Sequence, residues 1–235
     1  MRSMNATDRR RFLGGMMAAA AATTLPLARV KAAAAPQAGH DDWINEVRGS
    51  NKCLFDFPNH KMGFPLLHVF NYINTFSTAY GPGQIGTAGT FYGMGGASSI
   101  AMGFNDAMWA KYELGEYLGV KDASGTPYTR NVFNRPTKQD GHLFAAALQS
   151  PNFPLLGDII SACGIESLQG MGTKFIMCSN ALGGWAFELE ARGKGAAADI
   201  DAELRQNLLP SVTIVPAMVI AIAKAQEAGI SYNKQ

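Results

Sequence analysis

Charge is scarce in this chain. Only 16% of its 235 residues are Asp, Glu, Lys or Arg, against 47% hydrophobic residues. That balance excludes a disordered or polyelectrolyte chain and leaves ample material for a core. Cysteine is scarce as well, at three residues: Cys53, Cys163 and Cys178. They form no CxxC, no CxxCH and no paired Cys/His spacing, so zinc, c-type haem and iron–sulfur chemistry have no motif to rest on. No lysine follows the glycine-rich stretch in the phosphate-loop spacing. Ser98 lacks the nucleophile-elbow pattern, and no Ser/His/Asp signature is visible. There is no internal repeat and no second domain boundary. A basic run that would attract nucleic acid is missing too. The first 35 residues hold six of the twenty Lys and Arg and one of the eighteen Asp and Glu, so the rest of the chain carries a net charge of −3.

Those first 35 residues read as a leader. Asp8-Arg9-Arg10-Arg11-Phe12-Leu13 resembles the twin-arginine export motif, two arginines followed at a short spacing by two apolar residues. An alanine-rich apolar segment, Gly14 to Leu27, follows; it is too short and too weakly hydrophobic for a stable membrane span. Ala32–Ala35 offers small-residue cleavage sites, which places the start of the mature chain near Ala35 or Pro36. The expectation is an exported, periplasmic protein whose residues 36–235 form a single domain.

Strand and helix signals alternate through that domain. Short apolar runs at Lys52–Phe57, Ile85–Tyr92, Lys174–Met177 and Val212–Val215 read as strands. Between them lie helical patterns: one opening at Pro65, another over Asn105–Leu118, others at Leu155–Cys163 and Leu182–Ala191, and a short one through Gln206. The last helix, Met218–Ala228, opens after Pro216 and closes at Gly229. Alternation of this kind specifies an α/β fold, a three-layer α/β/α sandwich with a mostly parallel sheet. Val120–Gln139 breaks the rhythm with turn residues and reads as an insertion, a surface excursion, oligomer arm or lid.

One position stands out chemically. Cys178 ends a buried strand, and Ser179–Asn180 turns the chain into the next helix. Reactive groups in open α/β sheets collect beyond the carboxyl ends of strands, and a thiol there lies near helix-terminal amides. The competing reading is a small buried apolar residue, the usual role of a free cysteine.

Ile165–Tyr232 resembles the DsrE/DsrF-like family of small sulfur-metabolism proteins. The residues that carry the resemblance are Gly170 to Leu182 (Gly-Met-Gly-Thr-Lys-Phe-Ile-Met-Cys-Ser-Asn-Ala-Leu), Leu208 to Ala217 (Leu-Leu-Pro-Ser-Val-Thr-Ile-Val-Pro-Ala) and Ala225 to Tyr232 (Ala-Gln-Glu-Ala-Gly-Ile-Ser-Tyr). The resemblance implies a Rossmann-like fold, assembly into small homo-oligomers and, in some members, sulfur carried as a cysteine persulfide. Only Cys178 falls on the family's cysteine position. Ser179 and Asn180 are then expected to hydrogen-bond a thiolate or persulfide, with a sulfur donor or acceptor as partner.

Two weaker candidate sites remain. Gly93, Gly95, Gly96 and Ser98 form a turn after the second strand that could help bind a ligand, although its spacing is not that of a dinucleotide site. His60 and Met62 offer an imidazole and a thioether, a pairing suited to copper. Close packing explains the first and an ordinary polar loop the second, and no cofactor is specified. The alternative to sulfur chemistry is therefore a non-catalytic, oligomeric small-molecule-binding module.

Overall fold

The computed structural model describes residues 39–149 and 156–235; the segment read as a twin-arginine leader lies outside them. His40–Gln235 forms one compact unit. Its centre is a five-stranded, wholly parallel sheet in the order β4-β3-β2-β1-β5. The strands are β1 (Asn51–Asp56), β2 (Ile85–Phe91), β3 (Lys174–Cys178), β4 (Val212–Val215) and β5 (Ser231–Lys234). The helices, in chain order, are α1 (Asp42–Glu46), α2 (Phe64–Tyr80), α3 (Asp106–Lys111), α4 (Leu114–Tyr117), α5 (Gly141–Ala147), α6 (Leu156–Ile159), α7 (Ile165–Gly170), α8 (Ser179–Ala191), α9 (Ala197–Gln206) and α10 (Met218–Glu227). Helices cover both faces of the sheet, so the fold is α/β and Rossmann-like. Among the described residues no helix is long and apolar enough to cross a membrane.

Side chains alternate across a strand, and the two faces bury different sets. Cys53, Phe55, Phe57, Phe91, Phe175 and Met177 enter a large aromatic-rich core with α2, α3, α8 and α9. Leu54, Ala88, Ile176, Cys178 and Val215 enter a smaller core closed by α1 and α10. The chain steps from β1 to β4 in one direction across the sheet with its connections on the thick face. It then crosses back from β4 to β5 through α10 on the thin face, as the constant handedness of parallel crossovers requires.

Four of the five strands fall where the hydrophobic runs place them. The fifth, β5, has no such signal because all four of its residues are exposed. It pairs with β1 in the register Leu54–Tyr232 and Asp56–Lys234. The helix expected over Asn105–Leu118 breaks at Glu113, whose φ is +52°. Helix α8 starts at Ser179 and takes in the predicted turn, because Cys178 is its N-cap and Ser179–Asn180 lies in its first turn.

The stretch read as an insertion enters the thick-face core at Val120 and again at Val132 and Phe133, while 121–130 runs over the surface. Val120, Val132 and Phe133 are fully buried. Its irregular backbone is tied down by side chains, as a buried loop requires. The amide of buried Asn131 donates to the Met102 and Phe104 carbonyls at 2.8 and 2.7 Å. Its own main-chain N–H donates to Asp106 at 2.8 Å. At the far end, buried Asp140 accepts from Arg130 at 2.7 and 2.9 Å and from the Thr137 amide at 2.6 Å.

Candidate functional site

The connections β3→α8 and β4→α10 leave the sheet on opposite faces, so the carboxyl ends of β3 and β4 form the topological switch point of the fold. Ligands of open α/β sheets bind at such points. Cys178 occupies this one. Its Sγ accepts a hydrogen bond from the main-chain N–H of Ala181, in the first turn of α8, at 3.4 Å. A second comes from the main-chain N–H of Met218, the first residue of α10, at 3.4 Å. Two helix amino termini thus direct their unpaired amides and positive dipole ends at one sulfur. Cys178 is 6% exposed.

The two residues flanking the sulfur have other roles. The guanidinium of Arg205, on α9, donates to the Ser179 hydroxyl at 3.0 Å and to the Ser179 carbonyl at 3.2 Å. It also pairs with Asp201 at 2.8 Å. This fork anchors the first turn of α8 and so orients the Ala181 amide. Asn180 is exposed. Among the described residues the donors to the sulfur are therefore main-chain amides, where Ser179 and Asn180 side chains were expected.

Beside the sulfur lies a polar cluster that the pattern of the sequence did not single out as a site. Asp56 ends β1, Tyr92 follows β2 and Tyr232 lies in β5. Tyr92 sits one residue beyond the Phe91–Met177 pair, next to Cys178 on the neighbouring strand. Asp56 is 3% exposed. Its carboxylate accepts from the Tyr232 hydroxyl at 2.7 Å and from the Thr90 hydroxyl at 3.1 Å. Its charge also acts on the Tyr92 phenol on the neighbouring strand. Burial pushes the Tyr92 phenol well above its ordinary value, and the nearby Asp56 carboxylate pushes it further. The hydrogen bond to Asp56, with burial, takes Tyr232 to about 12. Both phenols stay neutral at any physiological pH. Asp56 appears in the sequence as a lone carboxylate; its partners are 34 to 176 positions away.

The glycine turn is packed, with its polar groups engaged internally. The Gly95 amide donates to Glu188 at 3.2 Å. Ser98 donates to the Gly95 carbonyl at 2.8 Å and accepts from the Trp185 indole at 3.2 Å. A Cβ on Gly96 would stand 2.9 Å from the Tyr117 carbonyl oxygen, so the chain needs glycine for close approach. Gly93 has φ +97°, which glycine adopts without strain.

His60 is buried, and both its ring nitrogens are used. Nδ1 accepts from the Met62 amide at 3.1 Å, and Nε2 faces the Gly96 carbonyl at 3.2 Å as donor. This pinning of one loop to another leaves no ring lone pair for copper. Among the described residues no group of three or more His, Cys, Asp or Glu is arranged to hold a metal. Two open clefts lie elsewhere: one at the amino end of the sheet near Arg48 and Lys174, the other between Tyr72 and Asn233.

No family model matches the chain. No curated protein matches it either. Among solved structures, a protein of unknown function from Methanobacterium thermoautotrophicum is similar, at 16% identity and a TM-score of 0.32, over 79% of this chain and 99% of that one.

Proposed function

We propose that this is an exported DsrE-like protein that binds or carries a sulfur species at Cys178. The observation that supports this reading is the pair of 3.4 Å hydrogen bonds from two helix amino termini to one cysteine sulfur. Charge that develops on sulfur when a persulfide forms or breaks is met by donors already in place. Loading needs only a sulfane donor such as inorganic polysulfide. The Cys178 thiolate attacks a sulfur of the chain, a new S–S bond forms, and the shortened polysulfide leaves with the electron pair.

The other two thiols lack this setting. Burial raises Cys53 to about 11 and Cys163 to about 12. The test is intact-mass and peptide mass spectrometry after incubation with polysulfide. The expected result is one added sulfur on Cys178, removed by reductant and absent in Cys178→Ser. Sulfur distributed equally over the three cysteines, or none at all, overturns the reading.

Export and assembly belong to the same proposal. Arg9-Arg10 with Phe12-Leu13 supports export to the periplasm; replacing both arginines with lysine is expected to leave precursor in the cytoplasm, and normal export of that variant refutes the route. Homo-oligomerisation is supported by α10, where Val219 is 76% and Ile220 54% exposed.

A further inference from the structure

We propose that the cleft between α2 and the carboxyl ends of β1 and β5 binds a small aromatic anion, a flat ring carrying one carboxylate-like group. The proposal is independent of the sulfur-carrier reading, because Cys178 does not line this cleft.

The cleft has a volume of about 530 Å³, within the range of small-molecule sites. It lies where the last residues of β1 and β5 meet the first half of α2, and ligands of open α/β sheets collect beyond the carboxyl ends of strands. Buried Phe55 lies at its base. Tyr72 forms a wall, edge-on to Phe55 with ring centroids 5.5 Å apart. Phe76 continues the aromatic row along α2, 5.7 Å from Tyr72. A planar ligand finds ring surface here.

The polar groups left free in the lining are donors. Asn71 has its side-chain oxygen taken by Thr75 at 3.1 Å, and Asn233 has its own taken by Gln235 at 2.8 Å. The side-chain NH2 of each has no partner among the described residues. The ammonium groups of Lys61 and Lys234 have none either. The Tyr72 hydroxyl is unbonded too, and burial, chiefly, raises its pKa, so at neutral pH it keeps a proton to give. His68 has Nδ1 engaged by the Gln235 side chain. No Asp or Glu lines the cleft. A carboxylate at the end of Gln235 would offset one lysine and still leave the lining net positive. Unpaired donors and ammonium groups satisfy an anion and leave a cation unmatched.

The backbone at Lys61 is held out of the ordinary. Lys61, Met62 and Gly63 have φ of +38°, +53° and +86° in succession. Residues with side chains avoid that region unless their surroundings hold them there, and such strain collects at ligand sites. Here the Met62 amide donates to the His60 ring at 3.1 Å, and the Gly63 amide donates to the His60 carbonyl at 2.7 Å. Met62 packs on the thick-face core, and Lys61 is left exposed at the cleft.

The experiment titrates the 15N-labelled protein with benzoate, benzamide and benzylamine, which share a ring and carry negative, no and positive charge. Acetate supplies the charge without the ring. Main-chain amide shifts are followed by NMR. Benzoate is expected to shift the amides of 61–72 and 233–235 and to bind roughly fivefold tighter than benzamide, the effect of one partly screened charge. Benzylamine and acetate should bind more weakly than benzamide. Lys61→Gln, at an exposed position, should weaken benzoate roughly threefold and leave benzamide unchanged. Benzylamine binding as tightly as benzoate overturns the anion assignment, and so does an equal loss of benzoate and benzamide in Lys61→Gln. Acetate matching benzoate overturns the aromatic assignment. Millimolar benzoate that shifts none of these amides removes the site altogether.

Discussion

The two faces of the sheet use the same strands for different ends. On the thick face, the carboxyl-end positions are apolar: Phe57, Phe91 and Met177 lie in the aromatic-rich core. On the thin face the matching positions are Asp56, Tyr92 and Cys178. The cysteines make the contrast sharpest. Cys53, on the thick face, has its thiol raised by burial, and among the described residues its sulfur makes only a long 4.0 Å contact to a carbonyl. Cys178, on the thin face, accepts from two amides. A single residue type is core filler on one side and a polarised group on the other. What separates them is place: Cys53 lies inside β1 and faces the thick core, whereas Cys178 ends β3, caps α8 and meets the start of α10. The aromatic core and the polar strand ends thus lie on opposite faces of one layer.

The largest expected effect is on the thick face. Phe175 stacks on Phe91 with centroids 5.0 Å apart, and its ring fills the space over Gly89. Phe175→Ala should cost about 3–5 kcal/mol in denaturant unfolding. On the thin face, Ala221→Gly in α10 should cost only about 1 kcal/mol, the helix-propensity difference. Equal losses would erase the asymmetry between the faces.

Next comes the irregular segment. Asn131→Ala removes two hydrogen bonds to buried carbonyls and should cost about 1–3 kcal/mol. An unchanged melting temperature would return 120–139 to the status of a surface excursion.

Acid should act on the thick side as well. Burial raises the Asp140 carboxyl, but hydrogen bonds from Tyr128, Thr137 and Arg130 outweigh burial and hold it below the ordinary range. A lowered carboxylate pKa contributes stability above the unfolded value, and that stability is lost as pH falls from about 4 through the folded value. Asp140→Asn should therefore remove part of the acid-limb slope in unfolding free energy against pH. His60 acts in a higher window. Burial lowers its pKa, opposed by the bond to Gly96, so it is buried neutral, and stability should fall as pH drops below about 6.5. A His60→Gln variant with the same slope between about pH 6.5 and 5 as wild type would remove that assignment.

The smallest expected effect on the chain itself is on the outer side of the thin face. Val219→Asp with Ile220→Asp should change unfolding free energy by no more than about 0.5 kcal/mol per site, because both side chains are exposed. The same pair should convert an oligomer to monomer in light scattering. A wild type that is already monomeric at micromolar concentration removes the assembly proposal and leaves α10 a plain outer helix.

Periodicity and punctuation in the sequence determined a great deal. Four strands are legible because their apolar runs are short and bounded by turn residues. The helices α2, α8 and α10 are legible from their spacing and from Pro65, Pro216 and Gly229. Cys178 at a strand end is a local fact, visible before any fold is known. The rest is non-local. Strand β5 is invisible because Ser-Tyr-Asn-Lys on an exposed edge needs no hydrophobic signal, only the open hydrogen-bonding side of β1. The Asp56 cluster joins residues up to 176 positions apart. The second amide on Cys178 comes from Met218, 40 residues on. No window of sequence holds both partners of such contacts. They exist because parallel strands of constant crossover hand bring their carboxyl ends to one edge, and because the last connection returns across the opposite face and points a second helix at the same sulfur.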